Sequence, residues 1–333
     1  MEPTAHPPVD VFPILKYVPE RWARWKFLVR EVRALQRRLY FGLIEGCERR
    51  VATQEPNGSF MEDVVAHLDD LGIDREAATY LCGIMMEAGT ETTATFILHF
   101  LLMMVNHPEV QMKAQREVDN VVGEDRAPIL EDFESLPYVQ AVVSEVFRMR
   151  PPLHLCLPHY TTADEVVENY LIPKDTTILV NIWGMNHDPE VFDDPERFNP
   201  DRFMESKFGT KAGADDAGRD KELEFGYGRR FCVGVHLAMA SIKMNIVNLL
   251  WAFDFSHARD PVTKVPIAAD INSFVQGTTL APKPFVCDIQ PRSAARTRII
   301  ERNFMNARPV YEQFEQELSP EDAAFVRSFV GNS

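Results

Sequence analysis

Two stretches hold residue types whose spacing could do chemistry. In Phe225-Gly226-Tyr227-Gly228-Arg229-Arg230-Phe231-Cys232-Val233-Gly234 a single thiol sits in a glycine-rich loop that opens onto an apolar run, Val235 to Phe253. That run has helical spacing, so Cys232 falls at or just before a helix N-terminus, where free N–H groups and the dipole favour thiolate over thiol. Gly226 and Gly228 let the backbone lie close against a flat partner, and Arg229 and Arg230 can neutralise a thiolate or pair with carboxylates. The second stretch, Ala88-Gly89-Thr90-Glu91-Thr92-Thr93, lies inside a helical pattern from about Arg75 to Val105. A mid-helix glycine costs about 1 kcal/mol against alanine, and three threonines add to that cost. A compensating role is that a small residue admits a flat ligand, Thr92 bonds back to the Ala88 carbonyl, and the acid–alcohol pair Glu91 and Thr92 delivers protons. The plain alternatives are a buried structural cysteine and a helix that tolerates a glycine.

An anionic sulfur with open space on one side suits iron in a planar macrocycle, since a cysteine thiolate is one of the few axial ligands used on haem. The pattern F-G-x-G-x-R-x-C-x-G resembles the haem-binding loop of the cytochrome P450 family, the haem-thiolate monooxygenases, and matches at every fixed position. A-G-x-[DE]-T-T resembles the oxygen-activating segment of the same family. The resemblance implies a mainly α fold with a minor β region, incomplete at the N-terminus. Haem b would lie between the helix at 75–105 and the helix after Cys232. It further implies monooxygenation of a lipophilic small molecule, with similarity to fungal members of secondary or xenobiotic metabolism. Cys232 is then the axial ligand of the iron. Phe225, Arg230, Gly234, His159, Ala88 and Gly89 contact the cofactor, and Phe225 and Phe231 shield the sulfur. Glu91 and Thr92 are catalytic, and Met85, Leu153, Leu155, Val275 and Thr278 line the substrate pocket. Electrons would come from NADPH through NADPH-cytochrome P450 reductase, docking where Lys221, Arg229 and Arg230 supply positive charge.

Glu145 and Arg148 are i,i+3 neighbours that would by default form a solvated pair. The family buries such a pair and adds an arginine from a P-E-R-F-type stretch, here Pro195-Glu196-Arg197-Phe198. Glu145, Arg148 and Arg197 are therefore expected to be structural, holding the haem-loop side of the core.

The elements that must position these residues read as follows. A helix is expected over about 21–52, with Trp25, Leu28, Val32, Leu35, Leu39 and Leu43 as its apolar stripe, and Trp22 and Trp25 taken as packing residues. A second helix covers 60–71, and Asp74 is a good N-cap for the long helix after it. A helix from Pro108 follows, then another that ends before Pro151-Pro152. An extended segment is expected at 153–158, with β runs at 165–172 and 177–182 joined by a turn in which Asp175 takes a conformation usual for glycine. Short strands and turns fill 262–289, with a tip at Gly277-Thr278-Thr279. Domain organisation is read as a partial haem-thiolate body over 1–293 and a charged helical tail over 294–333.

Bulk properties narrow the function. With 333 residues, 45% of them hydrophobic, the chain can bury a large core. A formal charge of −15 argues against nucleic acid or an anionic membrane surface as main partner. Five scattered cysteines, Cys47, Cys82, Cys156, Cys232 and Cys287, make no disulfide framework. The longest apolar run, 96–105, is shorter than the roughly 20 residues of a membrane span. The chain alone thus reads as cytoplasmic, while a family member that carries an anchor would sit on the cytosolic face of the endoplasmic reticulum. The resemblance covers the later half to two-thirds of a family member and leaves out the helix whose Trp and Arg usually hold a haem propionate. A fragment or truncated product is the reading, with weakened haem retention as the consequence. A non-catalytic remnant and a haem-binding sensor or carrier are the alternatives. The missing N-terminal part favours the first, and an intact Glu91-Thr92 speaks against the second.

Overall fold

The structure is a computed structural model that describes Val9, residues 12–53, 57–219, 223–275 and 277–315, and Pro320. Helices dominate: α1 (Arg24–Thr53), α2 (Phe60–Ala66), α3 (Leu68–Leu71), α4 (Arg75–Asn106), α5 (Pro108–Val122) and α6 (Pro137–Met149) precede the first strands. Four short strands follow, β1 (His159–Tyr160), β2 (Glu165–Val167), β3 (Tyr170–Ile172) and β4 (Thr177–Ile178), then α7 (Ile182–Asn186), α8 (Arg202–Glu205) and α9 (Val235–Ala252). β5 (Phe253–His257), β6 (Cys287–Pro291) and α10 (Ala294–Glu315) complete the order. The strands form antiparallel pairs, β1 with β4, β2 with β3 and β5 with β6. The mainly α class with a minor β part agrees with the expectation.

The chain divides into two compact units, Met1–Met103 with Val143–Ile242 and Asp270–Phe285, and Met104–Val142 with Lys243–Ala269 and Val286–Ser333. In the first unit, Ile44 and Cys47 of α1 pack with Met61 and Val64 of α2 and with Ala78 and Cys82 of α4. Asp74 caps α4 as expected, accepting from the Ala77 N–H at 2.7 Å. Gly83 of α4 faces the Tyr40 ring so closely that any Cβ there would enter the ring. The Tyr40 hydroxyl donates to Glu87, and burial, reinforced by that carboxylate, pushes the phenol up to about 12.

Within the second unit, Gln111 of α5 donates to the Met104 and Phe255 carbonyls at 3.1 and 2.9 Å and accepts from the Phe255 N–H at 2.9 Å. Asp119 accepts from Arg292 at 2.9 and 2.6 Å and from Arg296 at 2.8 Å. Burial works against the Asp119 carboxylate, but the two guanidinium groups outweigh it and hold its pKa below the usual range. The start of α10 is thereby fixed beside β6.

Five local expectations are corrected. On α1 the buried residues are Tyr40, Ile44 and Cys47, whereas Leu35 is 65% exposed and Leu39 and Leu43 are also exposed. α1 carries apolar residues on two arcs about 100° apart, one residue step of a helix; among the described residues the arc of Tyr40, Ile44 and Cys47 is buried, whereas the expected stripe is half-buried at Trp25, Leu28 and Val32 and exposed beyond them. Trp22 is exposed too, with Arg21 stacked over its ring at 4.3 Å. The run at 165–172 is a hairpin, because Glu168 (φ 48°) and Asn169 (φ 67°) both adopt the left-handed conformation of a two-residue turn. Segment 153–158 is not extended but turns at His154 and Leu155, and Cys156 has φ 53°. Ile182 begins α7 and does not end a strand. Asp175, by contrast, takes φ 63° as expected.

α4 and α9 are long and apolar enough to cross a membrane by length and composition, a criterion that core helices also meet.

Candidate haem-thiolate site

All the residues singled out for the site, apart from Lys221, are described, and all lie in the first unit. Lys221 falls outside the described residues. The cysteine loop closes on itself: the Cys232 N–H donates to the Phe225 carbonyl at 2.8 Å, around a turn in which Gly226 has φ 82° and Gly228 has φ 57°. Residues with a Cβ are strained in that conformation, which is why glycine stands at both places. Three residues after the thiol, α9 begins, with the Ala238 N–H already bonded to the Gly234 carbonyl at 2.9 Å. Cys232 is a free, half-exposed thiol. A Cβ on Gly234 would stand 4.0 Å from its sulfur, so the glycine keeps one side of the sulfur clear. Phe225 is half-buried, while Phe231, Arg229 and Arg230 are exposed.

α4 supplies the second part. It runs unbroken through Ala88 to Thr93, so the threonine does not open the helix. The Thr92 hydroxyl nevertheless donates to the Ala88 carbonyl at 2.8 Å, as expected, and Thr90 does the same to Met86 at 2.7 Å. Residues 84–91 are exposed on every side of the helix, Met85, Ala88, Gly89 and Glu91 among them. Among the described residues, no atom beyond its chain neighbours and the helix's own backbone lies within 4 Å of a Cβ built on Gly89. Glu91 accepts a hydrogen bond from the hydroxyl of Thr279, a contact that sequence reasoning missed. Thr279 lies at the tip named from the sequence, but its partner is 188 positions away.

α6 joins the two parts. Phe147 stands between Phe96 of α4, at 4.1 Å between ring centroids, and Phe225 of the cysteine loop, at 5.7 Å and edge-on. At the next residue, Arg148 grips Glu145 through Nε and Nη2, at 2.7 and 2.9 Å, and both residues are buried. The third arginine is Arg202 and not Arg197. Arg202 Nε lies 3.2 Å from the Glu145 carboxylate, whereas Arg197 has an exposed side chain and offers only its carbonyl to Arg202 at 3.2 Å and Arg148 at 3.5 Å. The cause is the turn Asp194–Arg197, which points the Arg197 carbonyl inward, while α8 carries Arg202 to the carboxylate. Arg148 also donates to the Asn186 carbonyl at 2.7 Å, and Asn186 donates to Glu224 at 3.3 Å, one residue before Phe225. The network therefore does reach the cysteine loop.

Other positions are more open. His159 is exposed on β1, opposite Ile178. Leu153 is half-buried, Leu155, Val275 and Thr278 are exposed, and the Val275 N–H donates to the Ala281 carbonyl at 2.9 Å. His154, His187 and His99 form an aromatic group with Trp183 and Phe274, in which His99 and His187 are buried, His154 and Phe274 half-buried and Trp183 exposed, with Trp183 stacked on His187 at 4.1 Å. Burial pushes His99 and His154 down to about 4 and lowers His187 as well.

This donor set fits a haem. The chain offers a free thiol just ahead of a helix, a glycine that leaves the sulfur's flank clear, an exposed arginine in the same loop and a glycine-bearing helix face with open space beside it. It is the cysteine-loop and long-helix pair of a haem-thiolate protein. The sequence profile of the family described as Cytochrome P450 matches residues 1–280, and the chain belongs to that family. It is similar to a cytochrome P450 monooxygenase of Armillaria gallica, with 46% identity over 317 residues that cover 95% of this chain and 60% of that protein. It is also similar to the cytochrome P450 monooxygenase yanC of Aspergillus niger, with 37% identity over 92% of this chain and 59% of that protein. Among solved structures, a zebra fish cytochrome P450 with abiraterone matches with a TM-score of 0.65 and 28% identity, over 78% of this chain and 59% of that one. The chain thus spans about 60% of the length of the curated relatives it matches.

Proposed function

We propose that the chain carries the thiolate side and the oxygen-activating helix of a monooxygenase acting on lipophilic small molecules. In the net reaction one oxygen atom of dioxygen enters a C–H or C=C bond and the other leaves as water, with two electrons from NADPH, passed through a reductase, and two protons. Bound haem b supplies the activation of dioxygen. What the residues contribute is specific to each. Cys232 would ligate the iron through its sulfur, Phe225 and Phe231 keep water from that sulfur, and Arg230 would pair with a propionate. His159 is a further propionate donor, and Ala88 and Gly89 leave room for the ring. Glu91 and Thr92 move protons. Because the Thr92 hydroxyl already donates to Ala88, it passes a proton onward only by exchanging that bond, and the adjacent carboxylate is the group able to resupply it.

Met85, Leu153, Leu155, Val275 and Thr278 would meet a substrate that is mostly apolar, and Arg229 and Arg230 would face the reductase. Fungal relatives named as monooxygenases support a place in fungal secondary or xenobiotic metabolism, at the cytosolic face of the endoplasmic reticulum where a full-length protein carries an anchor. The division into a haem-thiolate body over 1–293 and a helical tail over 294–333 belongs to the same reading.

One observation carries it: a free thiol held by its own N–H to Phe225, three residues ahead of α9, with its flank left clear by Gly234. The test is the visible spectrum of the haem-loaded chain, reduced and treated with carbon monoxide. The wild type should show the thiolate-shifted Soret band and Cys232→Ser should lack it. Haem bound without that band in the wild type would overturn the assignment.

A further inference from the structure

We propose that Thr279 and His99 are positioning residues for Glu91: they pin the tip at 277–280 onto α4, so that the loop reaching toward substrate and the proton-handling carboxylate respond together. This rests on Glu91 having the proton-delivery role given above.

The tip is otherwise open. Thr278 and Val275 are exposed, yet Thr279 between them and α4 is only 5% exposed, and its hydroxyl donates to Glu91 Oε1. The next residue is held twice. The Leu280 N–H donates to the Pro152 carbonyl at 3.1 Å, and the Leu280 carbonyl accepts from His99 Nε2 at 2.9 Å. A carbonyl only accepts, so His99 carries its proton on Nε2. His99 is fully buried and is kept neutral by that burial. Glu91 and His99 are about 12 Å apart along α4, yet they meet consecutive residues of the tip. The turn that presents Thr279 is tight, since a Cβ on Gly277 would stand 3.1 Å from the Thr279 carbonyl oxygen.

Two consequences follow for the chemistry. With one carboxylate oxygen of Glu91 fixed by Thr279, the other is left in a set direction to receive and pass on a proton. A molecule pressing on Val275 or Thr278 moves Thr279 and so changes that direction, which couples the presence of substrate to proton supply.

The test compares Thr279→Val, which keeps shape but removes the hydroxyl, with Thr279→Ser, which keeps the hydroxyl, and with Glu91→Gln, which keeps an acceptor oxygen. In the haem-free chain, hydrogen exchange at the Leu280 amide should quicken about 5-fold in Thr279→Val, the worth of one net hydrogen bond. It should stay at the wild-type rate in Thr279→Ser and Glu91→Gln. In the haem-loaded chain with reductase, peroxide released per NADPH consumed should rise several-fold in Thr279→Val and return toward wild type in Thr279→Ser, with the carbon monoxide band unchanged in all three. Unchanged Leu280 exchange in Thr279→Val, or peroxide release that is equal in the Val and Ser variants, overturns the proposal. A chain that never shows the thiolate band defeats the haem assignment instead, and the exchange measurement still decides whether the tip is pinned.

Discussion

Replacing Arg202 with Met should destabilise the first unit far more than replacing Arg197 with Met, although the second lies in the stretch where the family resemblance places the third arginine. Glu145 is fully buried and accepts from Arg148 at 2.7 and 2.9 Å, from the Asn199 N–H at 2.8 Å and from Arg202 at 3.2 Å. Removing one partner of a buried ion pair typically costs about 3–5 kcal/mol. Arg202 makes the longest of these bonds and Arg148 stays in place, so the low end applies, about 3 kcal/mol. The carbonyls of Asp193 and Arg197, now served by Arg202 at 3.0 and 3.2 Å, lose a donor in the same step. Arg197→Met leaves its own carbonyl intact and alters only an exposed side chain, which costs within roughly 0.5 kcal/mol. At roughly 2–4 °C per kcal/mol for a unit of this size, Arg202→Met should lower melting by about 6–12 °C and Arg197→Met by no more than about 2 °C. Calorimetric melts of the three proteins at neutral pH give the comparison. Equal losses, or a larger loss for Arg197→Met, would refute the assignment of Arg202 to the carboxylate.

Two further outcomes test the packing around α4. Gly83→Ala drives a methyl into the Tyr40 ring and should cost about 1–3 kcal/mol in urea melts, whereas in a Tyr40→Ala background the same change should be neutral or better, since alanine favours the helix. Equal costs in both backgrounds would show that the ring is not the obstacle. Stability should also fall with acid through His99. Burial, reinforced by Arg150 and His154 and only partly offset by the bond to Leu280, puts its folded pKa at about 4 against 6.5 unfolded. A folded pKa below the unfolded one means that the unfolded chain takes up the proton first. The stability is thus fully present above about pH 6.5 and is lost as pH falls toward 4, by roughly 3 kcal/mol. Urea midpoints between pH 7 and pH 4.5 should show that slope, flattened in His99→Gln; an unchanged slope in the variant would remove His99 as its source.

What was legible in the sequence is what chemistry fixes within a few residues. The cysteine loop, the Asp74 cap, the Thr92 bond to Ala88 and the left-handed Asp175 all depend on neighbours in the chain, and all are present. The errors arise where a partner comes from afar. Arg197 and Arg202 are both arginines beside a Phe, and the choice between them is set by the turn at 194–197, which puts one side chain outward and brings the other to Glu145. The buried arc of α1 is chosen by α2 and α4, not by the leucine spacing of α1 itself. The signal for Thr279 was present but weak: a glycine two residues ahead of a hydroxyl, in a tip whose Val275 and Thr278 were expected to line the pocket.

α6 explains why a network with no chemistry of its own matters to the site. Its two adjacent residues Phe147 and Arg148 face different tasks. Phe147 spaces α4 from the cysteine loop through ring contacts on both sides, which resist compression but do little against shear. Arg148 supplies what rings cannot, a directional bond to the Asn186 carbonyl, from which Asn186 reaches Glu224 at the root of the loop. Glu145 then fixes the orientation of Arg148 by accepting from its Nε and Nη2, and Arg202 holds the Glu145 carboxylate in turn. Spacing by aromatics and orientation by buried charge are thus separate devices on one helix. A site that must hold a sulfur and a carboxylate in register needs both, because an error in either displaces the loop relative to α4.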